Sequence, residues 1–326
     1  TGGSGFIGSH MAAVLLQNNV DFVIVDNLSN SDKKNINALE KFFAKDIKFE
    51  VTDIRDLKNM RRIFNSYQID SIIHFASLKS VNESILDPHL YEDNNVYGSK
   101  LLINLLKEFN VKKFIFSSSA CVYGKPKTLP IKESHSLNPI NPYGQNKVDI
   151  EFMIKDDLYF STKCCTKILR YFNPIGSFAD GVIGEIPGDS PKNLIPCILA
   201  TISDPKSILK VYGNDYNTKD GTAVRDYIHI MDLIFAHYFA LLNDEIGIEI
   251  FNIGTGEGYS VLDIINTFKK VNNVDIPFTF EPRREGDVSS CYADNNKIKK
   301  AFNWVPSRNL ATMCLDAFKF QKKYTK

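Results

Sequence analysis

The chain opens on Thr1-Gly2-Gly3-Ser4-Gly5-Phe6-Ile7-Gly8, and this stretch decides the fold. It contains Gly3-x-Gly5-x-x-Gly8 and also Gly2-x-x-Gly5-x-x-Gly8. Glycines so spaced permit a tight turn and let backbone N–H groups approach a pyrophosphate. The helix N-terminus that follows adds partial positive charge. The helix is visible in the pattern, with Ile7, Met11, Val14 and Leu15 at i, i+4, i+7 and i+8. The next apolar run, Asp21 to Asp26, reads as a buried strand whose last residue lies 21 positions after Gly5. A carboxylate there accepts hydrogen bonds from adenosine ribose hydroxyls and repels the 2′-phosphate of NADP, which points to NAD. A structural turn followed by a surface aspartate is the alternative. A turn of this kind normally follows a strand, so a few residues are expected to precede Thr1.

Working outward, Ile47–Val51, Ser71–Ala76, Lys113–Ser117 and Lys167–Phe172 read as further buried strands. Between Ser71–Ala76 and Lys113–Ser117 lies an apolar helical stripe of Leu101, Leu102, Leu105, Leu106 and Phe109. Buried strands alternating with amphipathic helices predict an α/β fold, a Rossmann-type doubly wound parallel sheet. The pattern changes after Asn173. Residues 174–192 are rich in Gly, Pro and Ser and read as a long functional loop. Shorter elements follow, among them helices over Asp232–Leu242, Ser260–Val271 and Leu310–Lys323. The expected division is an NAD-binding domain over 1–173 and a smaller α+β substrate lobe over 174–326, with some chain crossing back.

Composition excludes several classes of function. Lys+Arg 39 against Asp+Glu 38 gives a net charge of +1, too little for a nucleic-acid or membrane-surface field. No apolar run approaches the ~18 residues of a membrane span. Cys121, Cys164, Cys165, Cys197, Cys291 and Cys314 form no C-x-x-C pair, which suits a reduced, cytoplasmic protein. His10, His74, His89, His135, His229 and His237 show no ligand spacing, so no metal is expected.

The chemistry-bearing residues come next. Tyr143 and Lys147 stand at i and i+4 behind Pro142, on one face if a helix begins there. A phenol near pKa ~10 is a poor base at neutral pH, and an ammonium nearby lowers it by roughly 1–3 units. Such a phenolate takes a proton from a sugar hydroxyl. Alone, such a pair on a helix is more often surface decoration. Ser117-Ser118-Ser119 ends a strand, where α/β sheets place ligands, and Ser119 either bridges tyrosine and substrate or forms a turn. Asp53 either reaches the adenine or caps a helix. Arg225 and Arg284 suit a diphosphate, or pair on the surface.

T-G-x-x-G-x-x-G, S-S-S-A-x-V-Y-G and P-Y-G-x-x-K together resemble the extended short-chain dehydrogenase/reductase family. So do Ile73-His74-Phe75-Ala76, Asp93-Asn94-Asn95-Val96, Arg170-Tyr171-Phe172-Asn173-Pro174, Val224-Arg225-Asp226-Tyr227-Ile228-His229 and Arg283-Arg284-Glu285-Gly286-Asp287. The resemblance covers essentially the whole chain and is strongest to the family's nucleotide-sugar 4-epimerases. It implies NAD-dependent inversion of C4 of UDP-galactose and UDP-glucose through a 4-keto sugar, by a homodimer packed through helices near 95–110 and 144–160. It implies NAD contacts at Gly2, Gly5, Phe6, Ile7, Gly8, Asp26, Asn27, Asn30, Ser31, Asp53, Ile54, Phe75, Ala76, Lys79, Asn94 and Ser117, with Tyr171 and Phe172 near the nicotinamide. Tyr143 matches the base, Lys147 its partner and ribose ligand, and Ser119 the shuttle. Asn173, Asn193, Leu194, Arg225, Arg284 and Asp287 match the nucleotide-sugar site.

Two departures bear on detail. Cys121 replaces the family's usual threonine. Cys291 falls where relatives carry either tyrosine or a small residue. A small side chain leaves room for UDP-N-acetylglucosamine and its galactosamine epimer, or is plain filler. Nearest rivals are a UDP-glucuronate decarboxylase-like activity and the nucleotide-sugar 4,6-dehydratases, which carry an Asp-Glu pair where this chain has Ala120-Cys121. A UDP-glucuronate 4-epimerase and a non-catalytic NAD-binding sensor are the remaining alternatives.

Overall fold

In a computed structural model of the protein, residues 1–186, 191, 193–204, 206–284 and 286–324 are described. Residues 187–190 and 192 of the expected loop, and Glu285 of the Arg283–Asp287 block, lie outside them. The chain forms two compact units. The first comprises residues 1–125, 135–171 and 234–251, the second 126–134, 172–233 and 252–326.

The first unit alternates helix and strand: α1 (Phe6–Gln17), β1 (Val23–Asp26), α2 (Lys34–Phe43), β2 (Lys48–Val51), α3 (Leu57–Tyr67) and β3 (Ser71–His74). Two short helices, α4 (Val81–Leu86) and α5 (Pro88–Tyr91), run into a π-helical turn over Glu92–Tyr97 and then α6 (Gly98–Glu108). β4 (Lys113–Ser119), α7 (Pro142–Asp156), α8 (Leu158–Thr162) and β5 (Cys165–Tyr171) complete the series. β3, β4 and β5 pair in parallel, and β1 pairs in parallel with β2. Thr1 and Gly2 bridge these sheets: Gly2 N donates to Val25 O at 2.8 Å, and Phe75 N donates to Thr1 O at 3.0 Å. The core between sheet and helices holds Ile63, Leu102, Leu106, Phe114, Phe116, Ile150 and Phe160. Leu102, Leu105, Leu106 and Phe109 of the stripe on α6 therefore pack in this core, as apolar burial requires.

The second unit begins with β6 (Asn173–Ile175), β7 (Ser177–Phe178), β8 (Ile183–Gly184), α9 (Leu194–Ser203), β9 (Leu209–Tyr212), β10 (Val224–Arg225) and β11 (Tyr227–His229). α10 (Ile230–Leu242) leads the chain back into the first unit, where β12 (Gly247–Ile253) lies beside β5. β13 (Tyr259–Ser260), α11 (Val261–Asn272), β14 (Phe278–Glu281), β15 (Ser290–Cys291), α12 (Asn296–Phe302) and α13 (Leu310–Tyr324) follow. Its core packs α9, α11 and α13 through Ile198, Ile264, Phe268, Met313 and Phe318.

The stretch expected to be one long loop contains three short strands. β6 pairs in parallel with β11, and β7 and β8 form a hairpin. Its turn places Ala179, Asp180 and Gly181 at positive φ. Two-residue strands carry no readable alternation, so the Gly and Pro content hid them.

Candidate active site

The glycine turn is built around close backbone contacts. A Cβ on Gly2 (φ +68°) would stand 2.4 Å from Ala76 N, and one on Gly8 would stand 2.3 Å from Gly2 O. Both glycines are therefore demanded by the protein's own packing. Gly5 differs. A Cβ there would meet nothing nearer than Gly2 O at 3.6 Å, so the fold itself does not require glycine. A cradle left bare on that side fits a pyrophosphate seated against the N-terminus of α1. Phe6 opens α1 with its ring edge-on to His10, and Ile7 follows half-buried.

Asp26 ends β1 and is buried. Its carboxylate accepts from Ser4 N at 3.0 Å, Leu28 N at 2.9 Å and the Ser31 hydroxyl at 3.0 Å. Three of about four acceptor directions are thus used, and the remaining one suits a ribose hydroxyl. A cavity of about 430 Å³ is lined by Asn27, Asn30, Arg55, Lys79, Asn94 and neighbours. Asn27 donates to Asp53 at 2.8 Å. Asp53 is also bonded by Arg55, which holds its carboxyl at about 2. The residue that caps α3 is Asp56, not Asp53. Ile54 packs against Gly98, and Phe75 lies on His237 with ring centres 5.2 Å apart.

Asn141, Pro142 and Gly144 start α7. The Asn141 side chain accepts from Gly144 N at 2.8 Å, and Pro142 occupies the first turn, where its missing N–H costs nothing. This fixes Tyr143 in the first turn and Lys147 one turn on. The Lys147 ammonium donates to Ser117 O at 2.9 Å and lies 5.8 Å from the Tyr143 ring centre. The Ser119 hydroxyl stands beside the Tyr143 phenol, near enough to pull its proton affinity down, and accepts from Cys121 N at 3.2 Å. The structure thus brings Tyr143, Lys147, Ser117 and Ser119 together on α7 and the end of β4.

The electrostatics differ from the simple expectation that Lys147 lowers the phenol. Burial pushes the Tyr143 phenol above its ordinary range, and Ser119 only partly offsets this. The same burial pushes Lys147 down to about 7, against the opposing pull of Glu151. Each group pays desolvation in its charged form.

Ser117 also bonds the Tyr171 hydroxyl, which lies 3.1 Å from His237 Nε2. That pins Tyr171 at the end of β5.

In the second unit, β10 pairs with β15, setting Arg225 opposite Cys291. Arg225 donates to Val288 O at 2.8 Å and reaches Asp287 at 3.4 Å. Arg225, Asp287 and Cys291 are therefore neighbours. Arg284 stacks over the Tyr212 ring at 3.9 Å, a cation–π contact that orients its guanidinium. Asn193 takes the N-cap position of α9 without making a capping bond, and Leu194 begins the helix. Asn173 is exposed, bonded through its N–H to Asp226 O at 3.0 Å, and buried Phe172 donates to Ile253 O at 3.1 Å.

Residues 1–317 match the protein family described as GDP-mannose 4,6 dehydratase. The UDP-glucose 4-epimerase of Pasteurella multocida (strain Pm70) is 45% identical over 329 residues, covering 100% of this chain and 97% of that protein. The chain belongs to the UDP-glucose 4-epimerase family. The structure of the UDP-glucose 4-epimerase of Stenotrophomonas maltophila, with bound NAD and formylated UDP-arabinopyranose, superposes with a TM-score of 0.96 at 38% identity, covering 99% of this chain and 97% of that one. That of Bifidobacterium longum, in complex with NAD+ and UDP, gives 0.95 at 40% identity, covering 99% and 97%.

Set in this epimerase family, several residues around the site escaped the sequence reading. Glu151 and Arg170 form a buried pair behind Ser118, with Arg170 Nε donating to Glu151 at 2.8 Å. Asp226 joins several strands of the second unit, and Tyr212 carries Arg284. A readable signal existed for Asp226, the acid beside Arg225, and for Arg170, which precedes Tyr171.

Proposed function

We infer that this chain interconverts UDP-galactose and UDP-glucose by oxidising C4 of the sugar and reducing it from the opposite face, with NAD regenerated in each cycle. The observation that carries the reading is buried Lys147, held on Ser117 O one helical turn from the Tyr143 ring, with Ser119 beside the phenol. NAD, when bound, supplies the hydride acceptor and a positively charged ring. The residues around it do the rest. Tyr143 takes the 4-hydroxyl proton, with Ser119 bridging, and returns it after the sugar has turned. Lys147, held on Ser117 O, keeps positive charge beside the phenol and holds the nicotinamide ribose. Gly2, Gly5, Gly8, Asp26, Asn27, Asn30, Ser31, Asp53 and Lys79 hold the dinucleotide. Asn173, Asn193, Leu194, Arg225, Arg284 and Asp287 grip the UDP, so that the sugar alone rotates.

Dehydration is disfavoured although the family match bears a dehydratase's description. Ala120 and Cys121 form the one-turn helix after Ser119, and neither supplies an acid or base for water loss. Feeding UDP-galactose to the purified protein without added NAD tests the reading. UDP-glucose should form. Silence with NAD bound and the fold intact would overturn it.

Cys291 leaves volume beside Arg225, so the N-acetylated UDP-hexose pair is also a substrate. Cys291→Tyr should cut conversion of that pair at least ~10-fold while sparing UDP-galactose. Equal effects on both, or no conversion by the parent protein, would remove this assignment.

The active form is a homodimer. Ile85, Leu86, Leu90, Tyr97 and Phe152 leave large apolar side chains exposed on α4, α5, the π turn and α7, as a self-complementary helix interface requires. Light scattering should give twice the chain mass; a monomer would contradict it. Among the described residues no helix is long and apolar enough to cross a membrane. None of the six cysteines is in a disulfide, which suits the reducing cytoplasm.

A further inference from the structure

Asp226 lies between β10 and β11 and is fully buried. One carboxylate oxygen accepts from Thr255 N at 2.8 Å and the Thr255 hydroxyl at 2.7 Å. The other accepts from Gly256 N at 3.0 Å and Ala293 N at 3.1 Å. The backbone of the same residue donates to Cys291 O and accepts from Asn173 N, both at 3.0 Å. A Cβ on Gly254 would stand 2.4 Å from the carboxylate, so glycine there admits it. One side chain and its peptide groups therefore tie together the segments that carry Asn173, Arg225 and Cys291.

We propose that Asp226 is the positioning residue of the nucleotide-sugar side of the site, setting where Arg225, Asn173 and Cys291 stand relative to one another. This rests on the assignment of those three residues to the UDP-sugar. The carboxylate is needed as such. Each oxygen takes two donors, so an amide in either orientation sets its NH2 against a backbone N–H. Burial pushes the carboxyl up to about 6 even with these bonds, so the charge is held here at a cost. A leucine would fill the space without that cost, but it would leave three N–H groups unbonded and the segments unlinked.

The test titrates Asp226→Asn with UDP and measures KM and kcat with UDP-galactose and NAD content after denaturation. UDP affinity should fall and KM rise at least ~10-fold, equivalent to about 1.4 kcal/mol. The turnover number should stay within ~3-fold and the NAD content at the parent level. Where Asp226→Asn does not fold, Thr255→Val decides; it removes one donor and should weaken UDP ~3-fold, the worth of one hydrogen bond. A folded variant that binds UDP as tightly as the parent, or one that loses kcat at constant KM, overturns the inference while leaving the site assignment standing. Failure of the parent protein to bind UDP overturns that assignment, and the inference falls with it.

Discussion

Replacing Tyr143 with phenylalanine lowers epimerase turnover by ~10²–10⁴, the usual worth of a general acid/base, and leaves NAD bound. The ring is retained, so packing against Lys147 at 5.8 Å is retained. Only the phenol oxygen beside Ser119 is lost. Lys147 sits at about 7, but it donates to Ser117 O. The check is kcat with UDP-galactose alongside NAD content. Near-normal turnover in the variant would take Tyr143 out of proton transfer.

The second large effect concerns stability. Arg170→Met should lower unfolding free energy by about 3–5 kcal/mol, because it takes the buried partner from a carboxylate left with Ser118 at 2.7 Å and the partly exposed Lys155 at 3.3 Å. Glu151 and Arg170 are both nearly inaccessible, at 0% and 1% side-chain exposure. Burial pushes the Glu151 carboxyl up, and the bonds from Arg170 and Ser118 more than reverse it, leaving it below the usual range. Without Arg170 the burial effect prevails and the carboxyl rises above its unfolded value of ~4.3. A raised acid binds more protons folded than unfolded, so the variant gains stability as pH falls toward that value. The parent, with its lowered acid, gains nothing there. The deficit between the two should therefore shrink from pH 7 to about pH 5, read by urea unfolding. The double replacement Glu151→Leu with Arg170→Met should recover much of the loss, since apolar pairs fill such sites well. A deficit that is small or constant with pH would show that the pair is not what holds this region.

What was legible in the sequence was local. The glycine turn, the Asp26 strand end and the Tyr143/Lys147 spacing are each set by residues within one element and its cap. Asn141, Pro142 and Gly144 then deliver α7 as written. What stayed hidden depends on partners distant in the chain. Asp226 meets its donors at Thr255, Gly256 and Ala293, and Arg170 meets Glu151 across a strand and a helix. A buried charge and a surface charge look alike in a sequence until the partner is placed. The proton affinities of Tyr143 and Lys147 were hidden for the same reason. Spacing shows that two groups are near each other, and says nothing of the water each has lost. Short strands such as β6, β7 and β8 are set by pairing rather than by propensity, so composition gave only a loop.

The central claim is that the hydrogen at C4 leaves the sugar as hydride, stays on the enzyme and returns to the same carbon. UDP-galactose labelled with deuterium at C4, incubated with the protein in ordinary water without added NAD, tests it most directly. The account predicts UDP-glucose that retains the deuterium at C4. Product whose label has been lost to solvent, or no product from protein that carries NAD, would contradict it.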